Sequence, residues 1–498
     1  MKFIRVKNLH CLEDTGIVPL KAINFFVGAN STGKSSLLRV FPLLRQSLIY
    51  NKKGLFLWFG DRVDFGSYSE AHRINGGEMF FSFSIDLDLG IIRRSALTKT
   101  PFIFEFTLNS IAKVEYIQKI KISFSSYSIV FQFTSGNRVK SFIINDTDYS
   151  FIAKNLYIPE ITRLVPQVRY VNTTKKTKGT RKIFIDENII IARLLKYSAL
   201  KDLFVPQDLQ SLFEAIRLDT PERLLMKLRE SEKKFPAIGG WTVDHPLFKS
   251  FCDLYFIYHL ESLLMEIDYL STDVLSDIYY MGPYRAAVER YYRIQNIAVR
   301  EIDPHGENLA MYLGNLSAND YDSLKQWMID NFHFYITTDS SRGHLSMMLV
   351  DPSQNEKFNI IDKGFGLSQL LPIVVMLWHI QRRGIDGLVH SKKRLFAIEQ
   401  PELHLHPKLI RLLADTFVSC VRVMREIGVD FQLILETHSP SLINRIGDLI
   451  SMSRIDKDDV SVVLFNDLNE ERNIKQVEVV QFNEDGILEN WPIGFLDA

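Results

Sequence analysis

A glycine-rich stretch near the N-terminus constrains the fold of this chain more than any other feature. Residues 28–35 read Gly-Ala-Asn-Ser-Thr-Gly-Lys-Ser, which matches the G-x-x-x-x-G-K-S pattern of a phosphate-binding loop. The apolar run Ile23–Val27 before it predicts a buried strand, and the leucines between Ser36 and Ile49 have helical spacing. A strand-to-helix turn is the context that this pattern requires, so a chance glycine-rich turn is the weaker interpretation.

Each residue type in this loop has a physical role in holding a triphosphate. Glycines let the backbone curl so that successive amide N–H groups point at the phosphates. Lys34 can reach the β- and γ-phosphates, and the Ser35 hydroxyl is the expected Mg²⁺ ligand. The predicted cradle consists of Gly28, Ala29, Asn30, Ser31, Thr32, Gly33, Lys34, Ser35 and Ser36.

Composition narrows the setting without identifying a partner. The chain has 498 residues, 46% of them apolar, which is enough for two or three cores. Lys plus Arg (59) equals Asp plus Glu (59), so there is no overall attraction to nucleic acid. Cys11, Cys252 and Cys420 are too scattered for a disulfide framework or a zinc cluster. The chain has no run of membrane-spanning length, and Met1–Val6 reads as a strand rather than a leader. We therefore expect a cytoplasmic protein with no membrane partner.

Residue patterns predict an α/β fold with a nucleotide-binding head at the two ends of the chain. From Met79 to Asn145 apolar and polar residues alternate, as in an antiparallel meander. Residues 186–272 have helical patterns, with a helix start at Pro221 and a long amphipathic stretch over Phe248–Leu270. Pro42 should kink or interrupt the helix after the loop. The predicted segments are 1–70 (N-terminal half of the head), 71–150 (β-rich lobe), 151–280 (mainly helical insertion) and 281–498 (C-terminal half of the head).

The second half of the site is predicted to come from two strands late in the chain. Arg394–Glu399 is an apolar run that ends in a carboxylate, which would place Glu399 at the carboxyl edge of a sheet as the metal-side acid. A second apolar run, Phe431–Leu435, is followed by Glu436-Thr437-His438-Ser439-Pro440. His438 therefore lies at a strand end.

These motifs resemble those of the ABC-type ATPase heads of the SMC, RecF and OLD (overcoming-lysogenization-defect) proteins. The run Ile398-Glu-Gln-Pro-Glu-Leu-His-Leu-His-Pro407 and the ending Trp491-Pro492-Ile493-Gly494-Phe495 are most similar to those of stand-alone bacterial ATPases. Anti-phage ATPases such as PtuA of Septu and those of some retron systems look similar in plan. The resemblance covers both ends of the chain and is weak between residues 100 and 275.

The resemblance implies ATP and Mg²⁺ as cofactors and assigns roles to individual residues. Residues 28–35 match the Walker A loop, Glu399 the Walker B acid, and His438 the switch histidine that senses the γ-phosphate. A core histidine is the alternative for His438, but its place directly after a buried strand favours the sensor. Residues 361–369 occupy the place of the signature loop, so Gly366, Ser368 and a helix N-terminus at Gln369 should face the γ-phosphate of a second copy. A homodimer or higher homo-oligomer that closes through its heads follows from this pattern.

Gln400 departs from the family pattern in a way that bears on catalysis. Related ATPases place a glutamate there to orient or deprotonate the attacking water, and an amide is a poor proton acceptor. We therefore predict an ATPase with slow hydrolysis, in which Lys34, Glu399, Gln400 and His438 are the catalytic candidates. Glu402 is a secondary candidate for the base.

Several other features allow two interpretations. His404 and His406 with Glu402 could bind a metal, but a loop at the dimer interface is favoured because further ligands are lacking. The basic run Lys175–Lys182 could contact DNA or RNA phosphates, yet a solvated loop explains it slightly better because no aromatic residues are interleaved. Around Arg285, a turn with a surface arginine is the simplest interpretation. The motif Gly306–Asn308 reads as a helix start.

Three functions remain open at this point. The first is a nucleotide-gated ATPase that regulates an associated effector, such as a nuclease in anti-phage defence. The second is a DNA-clamping ATPase of repair or chromosome maintenance, and the third is an ATP-binding scaffold without turnover. Residues 442–498 lack the acidic cluster of an appended nuclease, so any cutting would belong to a separate protein.

Overall fold

The computed structural model describes residues 1–50, 52, 54–88, 100–159, 163–176, 179–184, 187–353, 356–385, 392–466 and 475–489. For residues 172–176, 179–184 and 187 it describes the backbone alone. The C-terminal motif Trp491–Phe495 lies outside these ranges.

The strands are β1 (Phe3–Leu9), β2 (Leu12–Asp14), β3 (Val18–Pro19), β4 (Ile23–Gly28), β5 (Met79–Leu87), β6 (Thr100–Ile111), β7 (Val114–Phe124), β8 (Tyr127–Phe133), β9 (Val139–Ile144), β10 (Thr147–Asp148), β11 (Leu156–Tyr157), β12 (Arg169–Lys176), β13 (Gly179–Phe184), β14 (Ile278–Met281), β15 (Tyr292–Arg293), β16 (Tyr335–Ser341), β17 (His344–Asp351), β18 (Glu356–Asn359), β19 (Lys393–Glu399), β20 (Asp430–Glu436), β21 (Val460–Phe465) and β22 (Val477–Val480). The α-helices are α1 (Lys34–Leu38), α2 (Val40–Ile49), α3 (Tyr68–Ala71), α4 (Glu187–Leu195), α5 (Pro206–Ala215), α6 (Pro221–Arg229), α7 (Pro246–Ser276), α8 (Leu309–Gly314), α9 (Ala318–Phe332), α10 (Phe365–Ile385), α11 (Pro407–Glu426) and α12 (Pro440–Ser451).

Contacts group the chain into two compact units. The first contains residues 1–9, 47–57 and 67–273. The second contains residues 10–46, 58–66 and 274–498.

The first unit contains the predicted antiparallel meander. Its sheet runs in the order β10-β9-β8-β7-β6-β5-β1, and each neighbouring pair is antiparallel. Because successive side chains of a strand point to opposite faces, alternate residues collect on the buried face. Stacked phenylalanines fill this face, including Phe102 and Phe124, whose ring centroids lie 4.5 Å apart. The meander predicted over Met79–Asn145 is confirmed.

The rest of this unit differs in part from the sequence-based expectation. Strands β11, β12 and β13 form a three-stranded sheet that the residue pattern did not predict. The described residues of the basic run, 175–176 and 179–182, belong to β12 and β13. The helices after residue 186 are confirmed, and α6 begins at Pro221 as predicted. The expected amphipathic helix is longer, and residues 251–260 of α7 are all buried. It is not amphipathic there because aromatic side chains surround it, with the Tyr127 ring 4.5 Å from that of Phe256.

Asp253 connects α7 to the segment around β10 and gives a pH-dependent stability. Its carboxylate accepts hydrogen bonds from Asn145 Nδ2 at 2.8 Å and from the Tyr149 hydroxyl at 3.1 Å, and the residue is 2% exposed. Burial raises the pKa of Asp253 to about 6, although these hydrogen bonds act in the opposite direction. The folded chain thus holds this proton more tightly than the unfolded chain does. We expect this residue's contribution to stability to be complete below about pH 4 and to fall by about 3 kcal/mol as the pH rises to about 7.

Urea unfolding of the wild type and of Asp253→Asn, followed across this pH range, measures that contribution. The amide does not titrate, so the difference in unfolding free energy between the two proteins should change with pH in favour of the variant as the pH rises. Parallel pH profiles for the two proteins would contradict the assignment.

The second unit contains the predicted α/β head. Its main sheet has the order β14-β19-β20-β4-β21-β22. The first five strands in this order are parallel to their neighbours, and the edge strand β22 is antiparallel to β21. The N-terminal strand β4 pairs with both β20 and β21 from the C-terminal part. The α/β class and the assembly of the head from both ends of the chain are confirmed. Since the strands are parallel, their carboxyl ends share one edge of the sheet.

The helix after the phosphate loop is interrupted at Arg39, between α1 and α2. In a continuous helix, Pro42 could not donate a hydrogen bond to the Leu38 carbonyl, and its ring would clash with that carbonyl. The predicted effect of Pro42 is therefore confirmed. The break leaves Arg39 one turn after Ser35.

Candidate nucleotide site

The phosphate-loop residues form the turn that the sequence predicts, between the end of β4 and the start of α1. A Cβ atom added at Gly28 would lie 2.4 Å from the Phe465 carbonyl oxygen. At Gly33, where φ is 105°, it would lie 2.4 Å from the side chain of Leu12. Both positions therefore require glycine. Ala29, Asn30 and Ser31, at the crest of the loop, are exposed.

Lys34 lies inside the curve of this loop and is 3% exposed. Its ammonium group donates hydrogen bonds to the carbonyls of Gly28 at 2.9 Å and Ala29 at 2.6 Å. The Thr32 hydroxyl donates to the same Ala29 carbonyl at 2.9 Å. The loop thus holds a positive charge where the pattern predicts contact with phosphates. Ser36 lies beside His10, with its Oγ 3.0 Å from the His10 Nδ1.

Two carboxylates lie side by side at the carboxyl edge of the sheet. Glu399 ends β19, Glu436 ends β20, and the two residues are register partners. Glu436 is also in register with Phe26 of β4, two residues before the phosphate loop. Both glutamates are buried, at 2% and 4% exposure. We call this pair the acid edge.

Glu399 is hydrogen bonded on both of its carboxylate oxygens. Arg39 donates from Nε to Oε1 at 2.6 Å and from Nη2 to Oε2 at 2.8 Å. The Tyr280 hydroxyl donates to Oε1 at 2.7 Å. Burial by itself lowers the pKa of Arg39. The hydrogen bonds and the charge of Glu399 outweigh this effect and raise the pKa of Arg39 above its ordinary value. The acid predicted to lie on the metal side is therefore in a bidentate ion pair.

Glu436, rather than Glu399, contacts the phosphate loop. The Ser35 hydroxyl donates to its Oε1 at 2.8 Å. Its Oε2 is buried and has no hydrogen-bond partner among the described residues. Burial and the neighbouring charge of Glu399 raise the pKa of Glu436 to about 7, against the effects of Ser35 and of the Lys34 and Arg39 charges.

The segments that follow the acid edge lie beside the loop. Gln400 adopts a positive φ of 43°, and its N–H donates to the Glu436 carbonyl at 2.8 Å. The His438 N–H donates to Glu402 Oε1 at 2.8 Å, so Glu402 supports the turn that carries the histidine. Burial and the charge of Lys34 lower the pKa of His438. The structure thus brings Lys34, Glu399, Gln400 and His438 to one edge of one sheet.

Arg285, interpreted from the sequence as a surface residue, is buried at 5% exposure. Its Nη2 donates to the carbonyls of Glu399 at 2.7 Å and Gln400 at 3.1 Å. Burial lowers the pKa of Arg285 to about 10, although the charges of Glu402 and Glu399 oppose this shift. Arg285 thus provides a donor for these two carbonyls at the point where the chain leaves β19.

The expected helix start at Gln369 is wrong. Helix α10 begins at Phe365, directly after Gly364, whose φ of 94° ends the preceding short 3₁₀ turn. Ser368 and Gln369 are therefore the fourth and fifth residues of the helix, at 5% and 1% exposure. Gln369 Nε2 donates to the Arg285 carbonyl at 3.1 Å.

The predicted signature residues consequently face their own chain. The Ser368 hydroxyl donates to the Phe365 carbonyl at 2.5 Å. A Cβ atom at Gly366 would lie 2.6 Å from the His404 carbonyl oxygen, so this glycine permits close packing against the turn after β19. Contact with the phosphate of a second copy through Ser368 would require its hydroxyl to rotate.

The two histidines near this turn have separate surroundings. His404 packs its ring edge-on to that of Phe365, with centroids 5.0 Å apart. His406 precedes α11, and its Nδ1 accepts the Lys408 N–H at 3.3 Å as a helix cap. Within the described ranges, no group of three or more His, Cys, Asp or Glu residues has the geometry to hold a metal ion.

Sequence reasoning did not assign a role to Glu436, Arg39 or Tyr280. The signal for Glu436 was present, because its apolar strand ends in a carboxylate as the strand of Glu399 does. No local pattern indicates Arg39 or Tyr280, since their contacts depend on which strands become neighbours.

The family match agrees with this geometry. The family described as "AAA domain, putative AbiEii toxin, Type IV TA system" matches residues 23–444, which span both the phosphate loop and the acid edge. The chain belongs to this family. Membership identifies it as an ATPase-type, nucleotide-binding protein.

Solved structures similar to this AAA-domain chain include an SMC head bound to the C-winged helix domain of ScpA, at 10% identity and a TM-score of 0.34, with 97% of both chains covered. The SMC head domain from Thermotoga maritima shares 8% identity at a TM-score of 0.33, over 97% of this chain and 100% of that one. RecF with ATPrS shares 11% identity at a TM-score of 0.27, over 89% and 93% of the two chains. At these scores the likenesses support no further conclusion.

No curated protein matches this AAA-domain chain significantly. Across the described part of the chain, no helix is both long and apolar enough to cross a membrane.

Proposed function

We propose that this chain binds Mg²⁺ and ATP at the phosphate loop, hydrolyses ATP slowly, and uses ATP-driven closure of paired heads to regulate an associated effector. One observation carries the proposal: a glycine-requiring loop with a buried lysine, two buried carboxylates and His438 lie at one edge of one parallel sheet. They come from opposite ends of the chain. A merely structural turn would not need this combination.

The residues present fit a magnesium triphosphate. Lys34 supplies a charge inside the loop, where phosphates meet the curled backbone. The Ser35 hydroxyl and the acid edge supply oxygens, which are the ligands that Mg²⁺ prefers, and one buried carboxylate oxygen lacks a partner within the described structure. When bound, the ion neutralises charge that develops on the phosphates. His438 follows β20 at the same sheet edge, and an imidazole N–H there would serve as a hydrogen-bond donor to the terminal phosphate.

Slow hydrolysis follows from the residue after Glu399. Gln400 can orient a water molecule by hydrogen bonding but cannot accept its proton efficiently. Glu402 is the other candidate base, and its Oε1 already accepts the His438 N–H. ATP would therefore persist in the site long enough for its binding to act as a signal.

Pairing of two heads is supported by the surface in front of α10. Ile361 and Phe365 are apolar yet 44% and 50% exposed, and both belong to the predicted signature loop. A second copy that covers them would bring this loop toward the neighbouring phosphate site. The output would be assembly controlled by nucleotide.

The family description names no separate effector, and we base one, such as a nuclease in anti-phage defence of the Septu or retron kind, on the resemblance of the sequence motifs. That description names a toxin of a type IV system, which implies a harmful activity under control. A DNA-clamping ATPase of repair or chromosome maintenance is the alternative, and DNA or RNA would then be a direct partner.

The mass of the purified protein in solution tests the pairing directly. With Mg²⁺ and a non-hydrolysable ATP analogue, light scattering should show about twice the mass found without nucleotide, and Phe365→Asp should prevent the change without preventing nucleotide binding. A mass that is unchanged while the analogue is bound would refute nucleotide-driven closure.

Two further measurements distinguish the effector role from DNA clamping. Co-purification with the product of a neighbouring nuclease gene supports the effector role. ATP-dependent DNA binding by the protein alone, weakening steeply with salt, supports the clamp.

A further inference from the structure

The two carboxylates of the acid edge have different partners, although they end neighbouring strands in register. Both oxygens of Glu399 accept hydrogen bonds, from Arg39 and Tyr280. Glu436 accepts one hydrogen bond, from Ser35, and its second oxygen is buried without a partner among the described residues. A buried carboxylate oxygen in this condition is costly unless something positive meets it.

Glu399 and Glu436 also differ in the positive charges next to them. The bidentate guanidinium of Arg39 matches the planar carboxylate of Glu399 and balances its charge locally. A cation that bound through Glu399 would lie beside the positive charge of Arg39 and would compete with it for the same carboxylate. Among the described residues no cation forms an ion pair with Glu436, although the charges of Lys34 and Arg39 act on it from farther away. The remaining negative charge of the acid edge therefore lies next to Ser35.

The Ser35 hydroxyl donates its proton to Glu436, which affects what else this hydroxyl can bind. A serine hydroxyl has one proton and two acceptor lone pairs. Because the proton is donated to Glu436 Oε1 at 2.8 Å, the lone pairs stay available for a cation. A hydroxyl that donated its proton to a phosphate would be less suited to this role.

We propose that Glu436, together with Ser35, forms the protein side of the divalent cation site, and that Glu399 is a positioning residue that fixes Arg39. This inference rests on the proposed binding of Mg²⁺ with nucleotide. It moves the metal-side role from the acid predicted by sequence to its register partner on the next strand.

Binding of Mn²⁺ to the full chain, measured by electron paramagnetic resonance in the presence of ADP, tests the assignment without any turnover. Glu436→Gln keeps the size of the side chain and an oxygen that can accept the Ser35 proton, but it removes the charge. We expect it to weaken Mn²⁺ binding by at least about tenfold. Glu399→Gln is the matched comparison: it removes one charge from the neighbouring strand and should weaken Mn²⁺ binding clearly less than Glu436→Gln does.

Binding of ADP in EDTA reports on the loop alone and should be equal in wild type and Glu436→Gln. If the wild type binds no nucleotide under any condition, the proposed function itself fails, and this inference fails with it. If nucleotide binds but Glu399→Gln weakens Mn²⁺ binding as much as Glu436→Gln or more, only the inference is overturned.

A second pair of variants covers the case in which a glutamine variant does not fold. Glu436→Asp retains the charge but shortens the reach, so it should weaken Mn²⁺ binding measurably. Glu399→Asp should leave Mn²⁺ binding within about threefold of wild type. The reverse order would overturn the assignment.

Discussion

Replacing Lys34 by alanine should weaken ATP binding and hydrolysis by at least about 100-fold, the largest effect that we expect from any single substitution. The ammonium group lies inside the loop at 3% exposure, held by the carbonyls of Gly28 and Ala29. Without it, the loop keeps its backbone donors but loses the charge that meets the β- and γ-phosphates. Binding of a fluorescent ATP analogue and single-turnover hydrolysis measure the two losses.

Thermal unfolding provides the accompanying check. A ligand that binds only the folded chain raises the melting temperature, so Mg²⁺ and ATP should stabilise the wild type and fail to stabilise Lys34→Ala. Lys408→Ala removes an exposed lysine of the same unit and should behave as wild type. If Lys34→Ala binds and hydrolyses ATP normally, the proposed site is wrong.

Replacing Gln400 by glutamate should have the second-largest effect, in the opposite direction. A carboxylate at this position can accept a proton from the attacking water, and general-base catalysis justifies an expected gain of roughly 10- to 100-fold in the single-turnover rate. The backbone there has a φ of 43°, which costs glutamate no more than glutamine. ATP affinity should change little, because the substitution acts on the chemical step.

Gln400→Asn keeps an amide and tolerates the left-handed backbone, so it should show no gain. If Glu402 is the true base, Gln400→Glu will not accelerate hydrolysis and Glu402→Gln will slow it. The two variants therefore distinguish which residue limits turnover.

The parts of the site that the sequence predicted are those encoded by local patterns. The phosphate loop needs only the strand before it, the helix after it and glycines between, and all three are adjacent in the chain. Glu399 was found because an apolar strand ends there. Glu436 was missed because sequence alone does not say which of two such strands lies beside the loop.

The remaining contacts depend on long-range pairing. Tyr280 reaches Glu399 because β14 lies next to β19, which no periodicity in either strand predicts. Arg285 resembled a surface residue because arginine after a turn is usually solvated, and its burial follows from carbonyl groups that need a donor. The helix begins at Phe365 and not at the predicted Gln369, because that prediction came from the family's signature pattern and not from a capping residue.

The position of β4 between β20 and β21 affects how the protein is made. The chain leaves the ribosome from its N-terminus, so this apolar strand emerges about 400 residues before its two neighbours. At usual translation speeds of about 5–20 residues per second, it waits for roughly 20–80 s without them. The nascent polypeptide therefore carries an unpaired, aggregation-prone apolar strand during most of its synthesis. A prematurely terminated product would keep this strand unpaired.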